Sequence, residues 1–161
     1  MAPRVGGSTA RVGVISDTHG LLRPEAIDAL RGSDLILHAG DVCAFDVVED
    51  LRAIAPVTVV RGNNDHDPWG SRLPETATVE VAGVRILVLH DLHDLAIDPR
   101  AEGFAVVVAG HSHEPQRERR DGVLFFNPGS AGPRRFRLPV TVGRLVVRGR
   151  RVIARIVALD P

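Results

Sequence analysis

Four histidines, two aspartates and an asparagine are the residues of this 161-residue chain whose types and places could do chemistry. Each follows a short apolar run. RVGVIS leads to Asp17-Thr18-His19, DLILHA to Gly40-Asp41, and VTVV to Arg61-Gly62-Asn63-Asn64-Asp65. RILVL leads to His90-Asp91 and AVVVA to Gly110-His111-Ser112-His113. Taken singly, an Asp or Asn after a strand is an ordinary turn or helix-cap residue. Capping does not explain four imidazoles at strand ends.

Imidazole nitrogens beside carboxylate and carboxamide oxygens form a mixed ligand field, suited to manganese, iron or zinc rather than to calcium or magnesium alone. In an extended backbone D-x-H and H-x-H put both side chains on one side, because the period there is two. Seven ligands are too many for one tetrahedral ion. They suit two ions sharing a bridging carboxylate, about 3.5–4 Å apart, an arrangement that clamps the oxygens of an in-line phosphoryl displacement.

The elements that must position these residues can be read from the same runs. Short β-branched stretches at 11–16, 34–39, 57–60, 85–90 and 105–109 have the length and composition of strands buried on both faces. PEAIDALRG (24–32), opening on proline and ending on glycine, and FDVVEDLRAIA (45–55), stopping before Pro56, read as helices between the first three. Such βαβαβ alternation predicts an α/β domain with parallel strands, whose carboxyl-end loops share one edge. TATVEVAGVRILVL (76–89) turning at Ala82-Gly83, QRERRDGVLFFN with its D-G turn, and the alternating PVTVGRLVVRGRRVIARIVAL all read as hairpins. Residues 1–8 are small and polar and are expected to form a flexible arm, with 9–161 a single domain.

Composition excludes several alternatives. All 20 basic residues are Arg, so there is no lysine to serve as nucleophile or Schiff base. One cysteine, Cys43, cannot form an internal disulfide, and no apolar run approaches membrane-spanning length, which predicts a cytoplasmic protein without membrane association. Net charge is zero but unevenly spread, with 9 Arg against 16 acidic residues up to position 113 and 11 against 4 beyond it. The basic part reads either as solvated strand faces or as a surface that attracts an anion such as phosphate. A nucleic-acid partner is disfavoured, since the chain has no Tyr and one Trp to interleave with the arginines.

The ordered set D-x-H, H-A-G-D, G-N-x-D, His after a strand, G-H-S-H and N-P-G-S resembles the calcineurin-like metallophosphoesterase superfamily. Within it, the chain looks most like the small bacterial and archaeal phosphodiesterase branch, to which the eukaryotic retromer scaffold subunit is related. The resemblance implies a four-layer α/β/β/α sandwich with mixed sheets and the metal site at the strand C-terminal edge. It implies that Asp17, His19 and His113 hold one metal, that Asn63, His90 and His111 hold the other, and that Asp41 bridges them. Asp41, Asn63 and His90 would thereby also be catalytic. His38, Asn64, Asp65 and Arg134 would be supporting or substrate-side residues.

The cofactors implied are two divalent metal ions, manganese first, with iron, zinc, nickel or cobalt as alternatives. The activity implied is hydrolysis of a small phosphodiester or nucleotide-like substrate by a metal-activated hydroxide. The rival reading is a catalytically inactive scaffold of the same fold, and the hairpin edges leave a homodimer open. Two positions depart from the family pattern. Asn64 stands where other members carry a histidine near the leaving group, and Asp91 stands where glycine usually follows the metal histidine.

Overall fold

The computed structural model describes residues 3–159. The buried runs lie side by side in two stacked sheets. The first joins β1 (Arg4–Val5), β5 (Thr76–Val81), β6 (Val84–Leu89), β7 (Val106–Val108), β9 (Val123–Asn127) and β8 (Gln116–Arg120), in that spatial order. The second runs β11 (Arg151–Ala158), β10 (Thr141–Arg148), β2 (Thr9–Ile15), β3 (Leu35–His38) and β4 (Val57–Val59). Both sheets are mixed. β2, β3 and β4 are parallel, as are β6, β7 and β9, while the three expected hairpins and the long-range pairing of β10 with β2 are antiparallel.

The main core is the apolar layer between the sheets. Val12, Val14, Leu35, Leu37 and Leu145 from one face meet Val79, Ile86, Val88, Val106 and Phe126 from the other. The helices α1 (Pro24–Leu30) and α2 (Phe45–Arg52) cover the outer face of the second sheet through Ala26, Leu30, Val48 and Leu51. The outer face of the first sheet is covered more thinly. There the segment after β6, with a single 3₁₀ turn at Leu92–Asp94, sets Leu92, Leu95 and Phe104 against Leu87, Leu89 and Val107. The two-sheet sandwich stands as expected, with a turn and loop as its fourth layer.

Within the stretch read as an arm, Arg4–Val5 pair parallel to β5, Arg4 opposite Glu80 and Val5 opposite Val81. Residues 1 and 2 lie outside the described part. The exposed strand β8 carries QRERR at the sheet edge, where charge discourages pairing with a second chain. Arg117 and Arg119 donate from this edge to the carbonyls of Ala154 and Val152 on β11, tying the two sheet edges together. Part of the basic C-terminal region is therefore structural. Among the described residues no helix is long and apolar enough to cross a membrane.

Candidate functional site

The strand ends do meet at one edge, and the local backbone there is unusual. Asp17, His19, Asp41, Cys43, His111 and His113 all have positive φ, between 46° and 70°. Only a well-determined fold holds so many L-residues in the left-handed region, where each costs free energy. The period-two argument for D-x-H and H-x-H is corrected by this: strands β2 and β7 have ended at Ile15 and Val108. The side chains converge because the chain bends at each residue.

Asp17 is fully buried. Its Oδ2 accepts from Ser16 Oγ and from the backbone N–H of His111. That leaves Oδ1 facing the ring nitrogens Nε2 of His113, His19 and His90 at 3.3, 3.9 and 4.0 Å. Asp41, also buried, turns Oδ2 toward His90 Nε2 at 3.5 Å and His19 Nε2 at 3.7 Å. Asp17, His19 and His113 thus form one cluster of potential ligand atoms, and Asp17, Asp41 and His90 a second. Asp17 belongs to both clusters, and Asp41 lies between the same two histidines. Beside them a third set closes: Asn63 Oδ1 is 2.9 Å from His90 Nε2 and 3.2 Å from His111 Nδ1, and the two ring nitrogens are 3.3 Å apart.

These spacings fit metal ions. Ligand atoms each about 2.1 Å from a common ion stand roughly 3.0–3.4 Å apart; the distances across the two clusters run from 3.3 to 4.0 Å, so the side chains would draw in slightly around an ion. Asp17 Oδ1 and His19 Nε2 are buried without a hydrogen-bond partner. Burying such atoms unpaired is costly, so a cation between them is the natural complement. His90 shows the same need. Its Nδ1 can only donate to the Ala39 carbonyl, 2.7 Å away, so a neutral ring would turn a bare Nε2 lone pair toward the oxygens of Asn63 and Asp41, a conflict relieved by protonating Nε2 or by a metal ion between them.

The electrostatics follow the geometry. Burial, the largest influence, would lower the pKa of His90. The hydrogen bond with Asp41, the charges of Asp17 and Asp41 and the Ala39 carbonyl outweigh it and raise the pKa to about 8. For Asp41 burial acts upward, yet His90 and the two hydrogen bonds from Asn64 hold it far below the usual carboxylate range. Asp17 is likewise lowered against its burial, by His113, Ser16 and His90. His19 is lowered, mainly by burial.

The supporting residues are resolved individually. Asn64 donates from its backbone N–H to Asp41 Oδ1 and from Nδ2 to Asp41 Oδ2, at 2.8 and 2.9 Å. Asp65 is buried and accepts from the N–H groups of Asp41, Gly62 and Cys43, so it shapes the loops. His38 is fully buried. Because Thr18 Oγ1 donates to Val42 O, His38 Nε2 must carry the proton it gives to that hydroxyl, while Nδ1 accepts from Gly40 N–H. Burial pushes its pKa down to about 4.

Asn127 donates to the carbonyl of Gly110 and Ser130 to that of Asp17, which sets the N-P-G-S turn behind the site. Arg134 is exposed and hydrogen-bonds Leu138 O; the guanidinium whose charge reaches His19 is that of Arg135. Sequence reasoning also passed over Ser16, Thr18 and Cys43. Cys43 sits at the rim with Sγ 3.8 Å from His19 Nδ1. None of the three matched a ligand pattern, and only their position after strands β2 and β3 could have pointed to them.

Beside Asn63, His90 and His111 opens a cavity of about 430 Å³, lined also by Arg61, Glu75, Asp91 and Asp94. His66 is exposed, and the almost fully exposed His93 is tied to Asp91.

Comparison with known proteins agrees with this geometry. A probable metallophosphoesterase of Methanothermobacter thermautotrophicus is 36% identical over 131 residues, covering 74% of this chain and 76% of that protein. A phosphodiesterase of Methanocaldococcus jannaschii is 26% identical over 137 residues, covering 74% and 82%. The solved Vacuolar Protein Sorting 29 of Cryptosporidium parvum superposes with a TM-score of 0.81 over 96% of this chain and 93% of its own; at 23% identity this likeness concerns the fold alone. The model of the calcineurin-like phosphoesterase superfamily domain matches residues 11–150, the span that holds every strand-end residue described above. The chain belongs to that superfamily.

Proposed function

We propose that the protein is a dinuclear metal-dependent phosphodiesterase. The observation that carries this reading is the convergence of two ligand clusters on the shared carboxylate Asp17, with Asp41 facing a histidine of each. Asp17, His19 and His113 would hold one divalent ion and Asn63, His90 and His111 the other, with Asp41 serving both and manganese the first candidate. When bound, such a pair neutralises charge developing on phosphorus oxygens and lowers the pKa of a water.

The chain's own residues hold that arrangement rigid. Asn64 fixes both oxygens of Asp41, and the Ala39 carbonyl fixes the tautomer of His90. In the hydrolysis one P–O ester bond breaks, a water oxygen becomes bonded to phosphorus, and the water proton ends on the departing alcohol. The Asn64 amide is committed to Asp41 and offers that alcohol no acid. Substrates whose leaving group departs without protein assistance are therefore favoured.

Charge favours diesters over monoesters. Glu75, Asp91 and Asp94 line the adjoining cavity with Arg61 the one guanidinium among its lining residues, and a monoester dianion is repelled there more than a singly charged diester. The test is metal analysis of the purified protein together with hydrolysis of bis(p-nitrophenyl) phosphate and p-nitrophenyl phosphate, with and without manganese. We expect manganese-dependent turnover that favours the diester. His111→Ala and His113→Ala should each lose on the order of 10²-fold or more, and Asp41→Asn more than either. Manganese-supported activity retained in Asp41→Asn would remove Asp41 from the bridging role. No bound metal and no turnover with any divalent ion would favour a non-catalytic scaffold of the same fold.

A further inference from the structure

The segment PRRFRLP (133–139) is bracketed by prolines and rises directly from the floor of the site. Just before it, Ala131 N–H donates to Ser16 O and Ser130 Oγ to Asp17 O, each at 3.1 Å. Gly132 packs so closely that a Cβ there would stand 2.4 Å from Thr18 O and 2.5 Å from Asp17 O. The loop is thus anchored on the residues that flank the His19 side of the metal centre. Within it, Arg134 Nη1 reaches Leu138 O and Leu138 N–H reaches Arg135 O, a compact turn rather than a loose strand.

What the loop presents is unusual. Phe136 is 92% exposed, the most exposed large apolar residue among the described ones. Its φ of 54° puts a bulky aromatic in a conformation such residues rarely adopt. Arg134, Arg135 and Arg137 lie together around it and, like most arginines of the chain, pair with no carboxylate among the described residues. An open ring face flanked by arginines without a carboxylate partner, on a turn anchored at Ser16 and Asp17, matches a ligand with a flat aromatic part linked to a phosphate.

We propose that this loop binds the nucleoside moiety of a nucleotide phosphodiester, with the base stacked on Phe136 and the arginines engaging its phosphate and sugar. Aromatic stacking and guanidinium–phosphate pairing are the two contacts by which proteins hold single-stranded nucleotides without reading their sequence. The loop has one ring, so it holds one base, and the substrate class is a short nucleotide diester rather than a nucleic-acid tract. This inference rests on the phosphodiesterase reading and adds to it which diester is taken.

Two substrates with the same leaving group test it: thymidine 5′-(p-nitrophenyl phosphate) and methyl p-nitrophenyl phosphate, compared by kcat/KM. We expect the wild type to prefer the nucleoside substrate. Phe136→Ala should lower that preference on the order of 5- to 150-fold, through KM, and Phe136→Trp should restore it. A preference that Phe136→Ala does not change overturns the proposal and leaves the phosphodiesterase reading standing. Anisotropy titration of a fluorescein-labelled dinucleotide phosphorothioate separates the two readings. If neither diester is hydrolysed, the phosphodiesterase reading fails. Binding that Phe136→Ala weakens would still support the nucleoside site, and absent or unaltered binding would overturn it.

Discussion

Asp91 is the residue at which this chain leaves the family pattern with a visible consequence. Its Oδ1 accepts from the backbone N–H of His93, 3.0 Å away, and faces His93 Nδ1 at the same distance, while Oδ2 faces His111 Nε2 at 3.6 Å. The other ring nitrogen of His111 is the one turned toward Asn63 and His90. A carboxylate behind a metal-ligating imidazole orients the ring and raises its basicity. Asp91→Asn is therefore expected to weaken metal binding about 10-fold or more, read by calorimetric titration with manganese. Wild-type affinity in the variant would mean that Asp91 only shapes the loop. Asn64 is the opposite case. Its carboxamide does not face the substrate space and instead restrains Asp41.

The elements that matter for the site are the turns after the strands. Gly62 lies so close to Asp41 that a Cβ there would be 2.1 Å from Asp41 Oδ1 and 2.2 Å from its backbone nitrogen. Gly62→Ala should displace the Asp41 turn, destabilise the fold by about 1–3 kcal/mol, and lower metal content. Urea unfolding and metal analysis of the same preparation check both. The strands and hairpins were legible because alternation and β-branched runs are strong local signals, and α1 and α2 because proline and glycine mark their ends. The last turn of the second predicted helix instead tightens, with Ala53 N–H bonding Asp50 O and Ile54 N–H bonding Leu51 O. β1 was not legible, since two residues beside Gly-Gly carry no period and their pairing partner lies some 75 residues away.

The whole molecule sets the protonation of His38, which lies between the inter-sheet core and the loops of the site. Folding holds its pKa at about 4 against an ordinary value of 6.5. Above pH 6.5 both folded and unfolded chains carry it neutral, and its contribution to stability is fully present. As pH falls from 6.5 toward 4 the unfolded chain takes up a proton that the folded chain refuses, and stability is lost. The loss approaches about 3 kcal/mol near pH 4. His38→Gln, which cannot titrate, should show a shallower decline across this window in urea midpoints measured from pH 7 to 4. Equal slopes in the two proteins would show that His38 does not govern the acid limb.

The sequence by itself determined the residue types at five strand ends, the order of the motifs that mark the superfamily, and the strands, hairpins and helices, while the two-sheet layering came only with the family resemblance. The former are local or periodic properties of the chain. The family resemblance implied that His111 and His113, two residues apart, divide between neighbouring clusters, and the tertiary structure supplies the backbone that lets them point apart. That division comes from left-handed backbone turns at both residues, which packing against Asp17 and Asn63 imposes and no periodicity records. The tertiary structure alone decided that Asp17 stands among three histidines, that Asn64 serves Asp41, and that the turn bearing Phe136 is anchored on the carbonyls of Ser16 and Asp17. Such relations join residues far apart in the chain, and they exist only once the two sheets have closed on one another.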